Sequence, residues 1–197
     1  MKKLLIICLI MATIFTVNAQ DNKPTKEQTF TFIKDYLQNN SIQCSDYSGS
    51  RSRTRDIQSL SIDFDETKNL MIVYYEFHYL YRNTSENLTD NSINKYKFII
   101  DLSKIESIGY SIRNFEECSF IYLNLKVVPN ASIDTYKSGG YDETKEFPTN
   151  PIQVKDIGIP INNSCKDCEF TEADRKILKA FNHLRKLCGA PEAISFD

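Results

Sequence analysis

Cys165 and Cys168, in the stretch NNSCKDCEF, carry the C-x-x-C spacing of a thiol–disulfide catalyst or of half a zinc site. A redox catalyst places its first cysteine at a helix N-terminus after a strand, where the helix dipole favours the thiolate. Here the pair precedes the helix cap at Thr171 by several residues, and no βαβ pattern leads into it. Adding His183 and Cys188 gives C-x2-C-x14-H-x4-C, a possible four-ligand set. A continuous helix over 172–187 rises ~1.5 Å per residue, so His183 and Cys188 lie too far along it to meet the pair at one metal. We therefore expect no metal and no cofactor. Cys165 and Cys168 remain the redox candidates. Cys44, Cys118, Cys165, Cys168 and Cys188 are the candidates for structural disulfides, with connectivity open.

Two further sets could act on a ligand. Arg51, Arg53 and Arg55 form the notable basic cluster, and three guanidinium groups can hold a phosphate, a sulfate or an acidic partner. They are candidate binding residues. Glu76 and His78 stand two apart in a strand-like run and so share one face, where they could do acid–base work. The plainer role for that pair is an exposed contact on a sheet. The patterns G-x-S-x-G, H-E-x-x-H, Walker and G-x-G-x-x-G are absent. No catalytic residue is assigned, and a binding protein is the favoured class over an enzyme.

The chain's first residues bear on the cysteines. MKKLLIICLIMATIFTVNAQ has a positive start, an apolar run of signal-peptide length, and small residues at Val17 and Ala19. The apolar run is shorter than the ~20 residues that span a bilayer. We expect a signal peptide over 1–19, cleaved near Ala19, and a periplasmic or extracellular protein with no transmembrane segment in its mature chain. Loss of Lys2 and Lys3 leaves 22 of the 24 basic residues against 26 acidic ones, a net −4. That acidic balance argues against a nucleic-acid partner. An oxidising compartment favours disulfides, and five mature cysteines leave at least one unpaired within the chain.

Hydrophobic periods predict the elements that must position these groups. Thr25 and Gln28 make a capping box before Phe30, Ile33 and Leu37, a helix over about 26–38. Residues 39–55 read as a polar connection. Period-two runs follow at Leu60–Phe64 and over 70–82, the latter long enough to need a bend or a bulge. After a polar loop over 83–94, further inward faces are Tyr96–Leu102, then Ile108, Tyr110 and Ile112, then Ile121–Val127. Residues 128–163 hold four of the six prolines and a Gly-Gly, so we expect an irregular segment with a short strand or 3₁₀ turn near Val154–Ile159. A second amphipathic helix runs from the Thr171/Asp174 cap to Gly189. This order predicts one α+β domain over 20–197: an antiparallel curved sheet or partly open barrel of at least five strands, an N-terminal helix, and a C-terminal helix that caps the sheet.

The meander, the segment YKFIIDLSKIESIGY and the closing helix ADRKILKAFNHLRKLCG resemble a pleckstrin-homology-like fold from Leu60 to Leu187. The ending AFNHLRKLCG is also similar to that of small secreted bacterial proteins of uncharacterised function. The resemblance implies a binding module rather than an enzyme. The first hairpin loop, Asp65 to Asn69, departs from the basic loop of that fold. The expected function is an exported, non-enzymatic binding module for a protein, a peptide or an envelope component. The alternative is a thiol–disulfide protein using Cys165 and Cys168.

Overall fold

The computed structural model describes residues 23–40, 42–115, 118–140, 146–165 and 170–192. The expected signal peptide and Cys168 lie outside the described residues. The chain is α+β: the described residues form helix α1 (Lys26–Asn39), nine strands, and helix α2 (Glu172–Leu187). The strands are β1 (Ile42–Ser48), β2 (Arg51–Asp65), β3 (Leu70–Asn83), β4 (Leu88–Asp101), β5 (Ile105–Asn114), β6 (Cys118–Val127), β7 (Ile133–Gly140), β8 (Ile152–Val154) and β9 (Asp156–Cys165). They form two antiparallel sheets, one ordered β1-β2-β3-β4-β7-β8 and the other β5-β6-β9.

Both helices begin as their caps predict. Thr25 and Gln28 close one capping box, Thr171 and Asp174 the other. Asp174 also ties three elements together. Its carboxylate is fully buried and accepts from Thr171 N at 2.9 Å, Thr171 Oγ1 at 2.6 Å, Tyr36 OH of α1 at 3.1 Å and Asn162 Nδ2 of β9 at 3.1 Å. Four donors offset the cost of burying that carboxylate. At the other end of α2, the buried Arg185 donates to the carbonyls of Ile105 at 2.9 Å and Pro191 at 2.8 Å. The apolar stripes of the helices, with Ile33, Leu37, Ile177, Phe181 and Leu184, join the strands' inner faces in one core.

The sheets are joined along β1. Strand β1 edges the large sheet and packs against β6 and β9 of the small one. Cys44 of β1 and Cys118 of β6 form a disulfide across that seam, with Cα atoms 5.9 Å apart and a sequence separation of 74. Phe120 of β6 meets Phe77 of β3 edge-on beside it.

Several expectations change. The connection over 39–55 is strand for most of its length, because β1 and the start of β2 pair from Ile42↔Ile57 to Ser48↔Arg51. The polar residues there sit on an edge hairpin, where one face meets solvent. The loop over 83–94 shortens because β4 starts at Leu88. Residues 128–163, expected to be irregular, carry β7, β8 and β9. Prolines fit there because Pro160 sits beside a register shift at Ile121/Tyr122. The Gly-Gly belongs to β7, where Gly139 has φ +108 and an added Cβ would strike the Ile93 carbonyl of β4. The long strand β3 is regular in its pairing with β4; the bulge lies in its other neighbour, β2, at Gln58/Ser61, with Ser59 at φ 52.

Joining positions 74 apart removes chain entropy from the unfolded state, worth about 4 kcal/mol in the loop-closure account. Cys44→Ala is therefore expected to lower the denaturation free energy by about 3–4 kcal/mol, read from urea unfolding of the purified protein. An unchanged midpoint would show that the seam holds without its bridge.

Candidate functional site

A cleft of about 870 Å3 lies between the two sheets. Its walls differ in kind. The large sheet contributes aromatic rings, because the inward positions of β3 and β4 are Tyr75, Phe77, Tyr96 and Phe98. Tyr75 and Tyr96 stack with centroids 5.0 Å apart, and Tyr96 continues onto Phe98 at 6.4 Å. The facing wall on β5 is Ser107, Gly109 and Ser111, alternating on one face of the strand. These side chains are too small to fill the gap. A Cβ built on Gly109 meets nothing within 4 Å, so the space in front of it is open. Strands β7 and β8 line the cleft on the side away from the β1 seam, through Thr135, Lys137, Ile152 and Val154.

Two cations meet tyrosine rings of the cleft, one on β6 of the small sheet and one on β4 of the large sheet. The guanidinium of Arg113, next along the β5 face, lies 5.0 Å from the centre of the Tyr122 ring. The ammonium of Lys137 lies 5.5 Å from the centre of the Tyr96 ring. Both are cation–π contacts. Burial pushes the Tyr75 phenol far above its ordinary range, reinforced by the neighbouring Tyr96 and Tyr122, and the opposing pull of Arg113 does not offset it. Burial also raises the Tyr122 phenol, against the pull of Arg113. Both phenols are neutral at physiological pH. The Thr135 hydroxyl, on the same wall, has no hydrogen-bond partner among the described residues.

No family model, curated protein or solved structure matches this chain.

The residues singled out by sequence lie elsewhere. Arg51, Arg53 and Arg55 share β2 in the edge hairpin. Arg55 is committed: its Nη1 donates to the buried Asp46 at 2.9 Å, and its guanidinium lies 4.1 Å from the centre of the Phe115 ring. Arg53 lies over Tyr81. Arg51, Arg53, Asp46 and Ser48 border a recess of only about 60 Å3. Glu76 and His78 are 3.4 Å apart, and Tyr74 donates a short hydrogen bond to Glu76. They belong to the β3 face opposite Tyr75 and Phe77, so they do not line the cleft. Among the described residues, no group of three or more His, Cys, Asp or Glu side chains is placed to hold a metal. His183 bonds the Pro24 carbonyl at 2.9 Å, and Cys188 is a buried free thiol, raised by burial. Cys165 ends β9, in register with Cys118 on β6.

Ile108, Tyr110 and Ile112, expected to face inward, share the β5 face away from the cleft, where Ile108 packs against the core and the other two reach solvent. Tyr110 is 48% exposed and Ile112 37%, and Tyr110 stacks on Phe170 just before α2. As the edge of a three-strand sheet, β5 is only partly covered by that helix. The cleft wall itself went unread because Ser-x-Gly-x-Ser carries no apolar signal. The short side chains opposite an aromatic strand were the clue.

Tyr36 and Tyr74 are both pushed up to about 12 from an ordinary 10.0, first by burial and then by Asp174 and Glu76 respectively. The folded state keeps protons that the unfolded state releases, so their contribution is complete below pH 10 and is lost as pH rises from 10 to 12. Urea midpoints measured from pH 9 to 12 should be level at first and fall above pH 10, with Tyr36→Phe removing part of the fall. A level profile throughout contradicts this.

Proposed function

We propose that this protein is an exported, non-enzymatic binding module and that the cleft between its sheets is the binding site, for a protein, peptide or envelope component. The observation that carries the reading is the pairing of walls: aromatic side chains on one sheet, and Ser107, Gly109 and Ser111 leaving room on the other. A concave, mostly apolar site with a few convergent polar groups is the usual form of a ligand pocket. Among the described residues that line it there is no histidine and no cysteine, and Asp156 is the sole carboxylate. The Cys44–Cys118 bridge suits an oxidising compartment, as the segment over 1–19 suggests. Among the described residues, no helix is long and apolar enough to cross a membrane. The likeness of the sequence to a pleckstrin-homology-like fold also favours binding.

Gly109 makes the reading testable, because a large side chain there enters open space rather than the core. Melting curves of the protein and of Gly109→Phe are compared against a panel of envelope peptides, glycans and lipids. A true ligand at about 100 times its Kd adds ~2.7 kcal/mol, a shift of roughly 5–10 °C in a chain of this size. The shift is expected in the protein and not in the variant. Equal shifts in both place the site elsewhere.

A second reading, a thiol–disulfide protein using Cys165 and Cys168, has one supporting observation. The register sets Cys165 directly across from Cys118, whose sulfur is already bridged to Cys44. Directly opposite residues in an antiparallel pair have Cα atoms ~4.5–5.5 Å apart, and exchange requires a thiolate to attack one sulfur of an existing bridge. Alkylation and peptide mass mapping after graded reduction tests it. Exchange chemistry predicts mixed pairings among Cys44, Cys118 and Cys165 at mild potential. A Cys44–Cys118 bridge that persists unmixed until strong reductant marks a purely structural role.

A further inference from the structure

The cations of the cleft divide into two kinds. Lys126 is neutralised by Glu106 at 3.1 Å and stands across from Asp156 in the strand register. Arg113 and Lys137 have no carboxylate at ion-pair distance among the described residues; each lies over a tyrosine ring, and both are exposed. They flank one cluster, since Tyr75 stacks on Tyr96 and the Tyr122 phenol feels both Arg113 and Tyr96. This local positive surplus sits in a chain whose net charge is −2.

We infer that the cleft takes a small amphipathic anion, with a flat or short-chain apolar body against the tyrosine wall and one carboxylate, sulfonate or phosphate held by Arg113 and Lys137. This rests on the reading of the cleft as the binding site and deepens it. Charge complementarity selects the head: arginine grips a planar or tetrahedral anion through several N–H groups, and lysine adds a point charge. Size selects the body. About 870 Å3 falls within the ~300–1,000 Å3 typical of sites for single small molecules. Binding to a membrane surface would call for a cluster of ~4–8 basic residues, and the cleft offers three, of which Lys126 is already paired with Glu106. The space in front of Gly109 accepts the body edge-on, between the small wall and the stacked rings.

Two probes with the same rings separate the claims: 8-anilinonaphthalene-1-sulfonate, and N-phenyl-1-naphthylamine, which lacks the sulfonate. Each is titrated by fluorescence into the purified protein, into the Arg113→Gln/Lys137→Gln double variant and into Gly109→Phe. Gly109→Val serves if the phenylalanine variant does not fold. The sulfonate probe is expected to bind one per chain, about 10-fold tighter than the neutral probe at low salt. The double variant should bring it to the level of the neutral probe and leave the neutral probe unchanged. Filling at Gly109 should abolish both. If the two probes bind alike, or the double variant binds the sulfonate normally, the anion inference fails, and the cleft stands as the site provided Gly109→Phe still abolishes binding. If neither probe binds, the inference is overturned. If both bind and filling at Gly109 changes neither, the inference and the cleft reading fail together.

Discussion

The joining of the two sheets along β1 is the constraint on which the rest of the molecule depends. Strand β1 belongs to the large sheet by hydrogen bonding and to the small one by packing, and the Cys44–Cys118 bridge fixes it to both. Two sheets joined along one side part towards the other unless side chains fill the space between them. On the seam side they do, through Phe77, Phe115 and Phe120. Towards β7 and β8 they do not, because before Arg113 the β5 face offers only the hydroxymethyl groups of Ser107 and Ser111 and the hydrogen of Gly109. The cleft thus follows from a closed side and an underfilled side. Larger residues on the β5 face would bury more of the tyrosine wall and add to stability at ~25 cal/mol per Å2. The sequence leaves that gain unused at the position where a ligand would collect it.

The helices hold the other end of the frame. Asp174 accepts hydrogen bonds from α1, from β9 and from its own cap, so one carboxylate sets where the helix pair meets the small sheet. Arg185 does the corresponding task at the far end of α2, reaching the Ile105 carbonyl where β5 begins. The start of the underfilled strand is thereby anchored while its middle is left free to face the cleft. Buried polar groups satisfied this fully favour a single arrangement over alternatives of similar packing.

Much of this was legible in the sequence, for a physical reason. Helix caps and amphipathic stripes are local signals, so α1 and α2 fall within a residue or so of expectation. The strands with one strongly apolar face, β3 and the inner half of β4, were equally plain. The strands missed at 42–48 and 133–140 carry Ser, Asp, Thr, Lys and Gly on a pleated backbone, and what makes them strands is their pairing with neighbours far along the chain. Cys165 and Cys168 stand out by their spacing, whereas Cys44 and Cys118, two of five candidates with open connectivity, are bridged because topology sets β1 beside β6. The candidate site was illegible for the same reason: it consists of residues that do little chemistry alone, from seven strands, and only the fold brings Arg113, Lys137 and the tyrosines around one space.

The measurement that bears most directly on this account is a crystal structure of the protein grown with 8-anilinonaphthalene-1-sulfonate. The account predicts the probe's rings against Tyr75 and Tyr96, facing Gly109, with the sulfonate towards Arg113 and Lys137, while the Cys44–Cys118 seam is unmoved. A probe seated elsewhere on the surface, or sheets closed upon each other with no room between Gly109 and Tyr96, would contradict it.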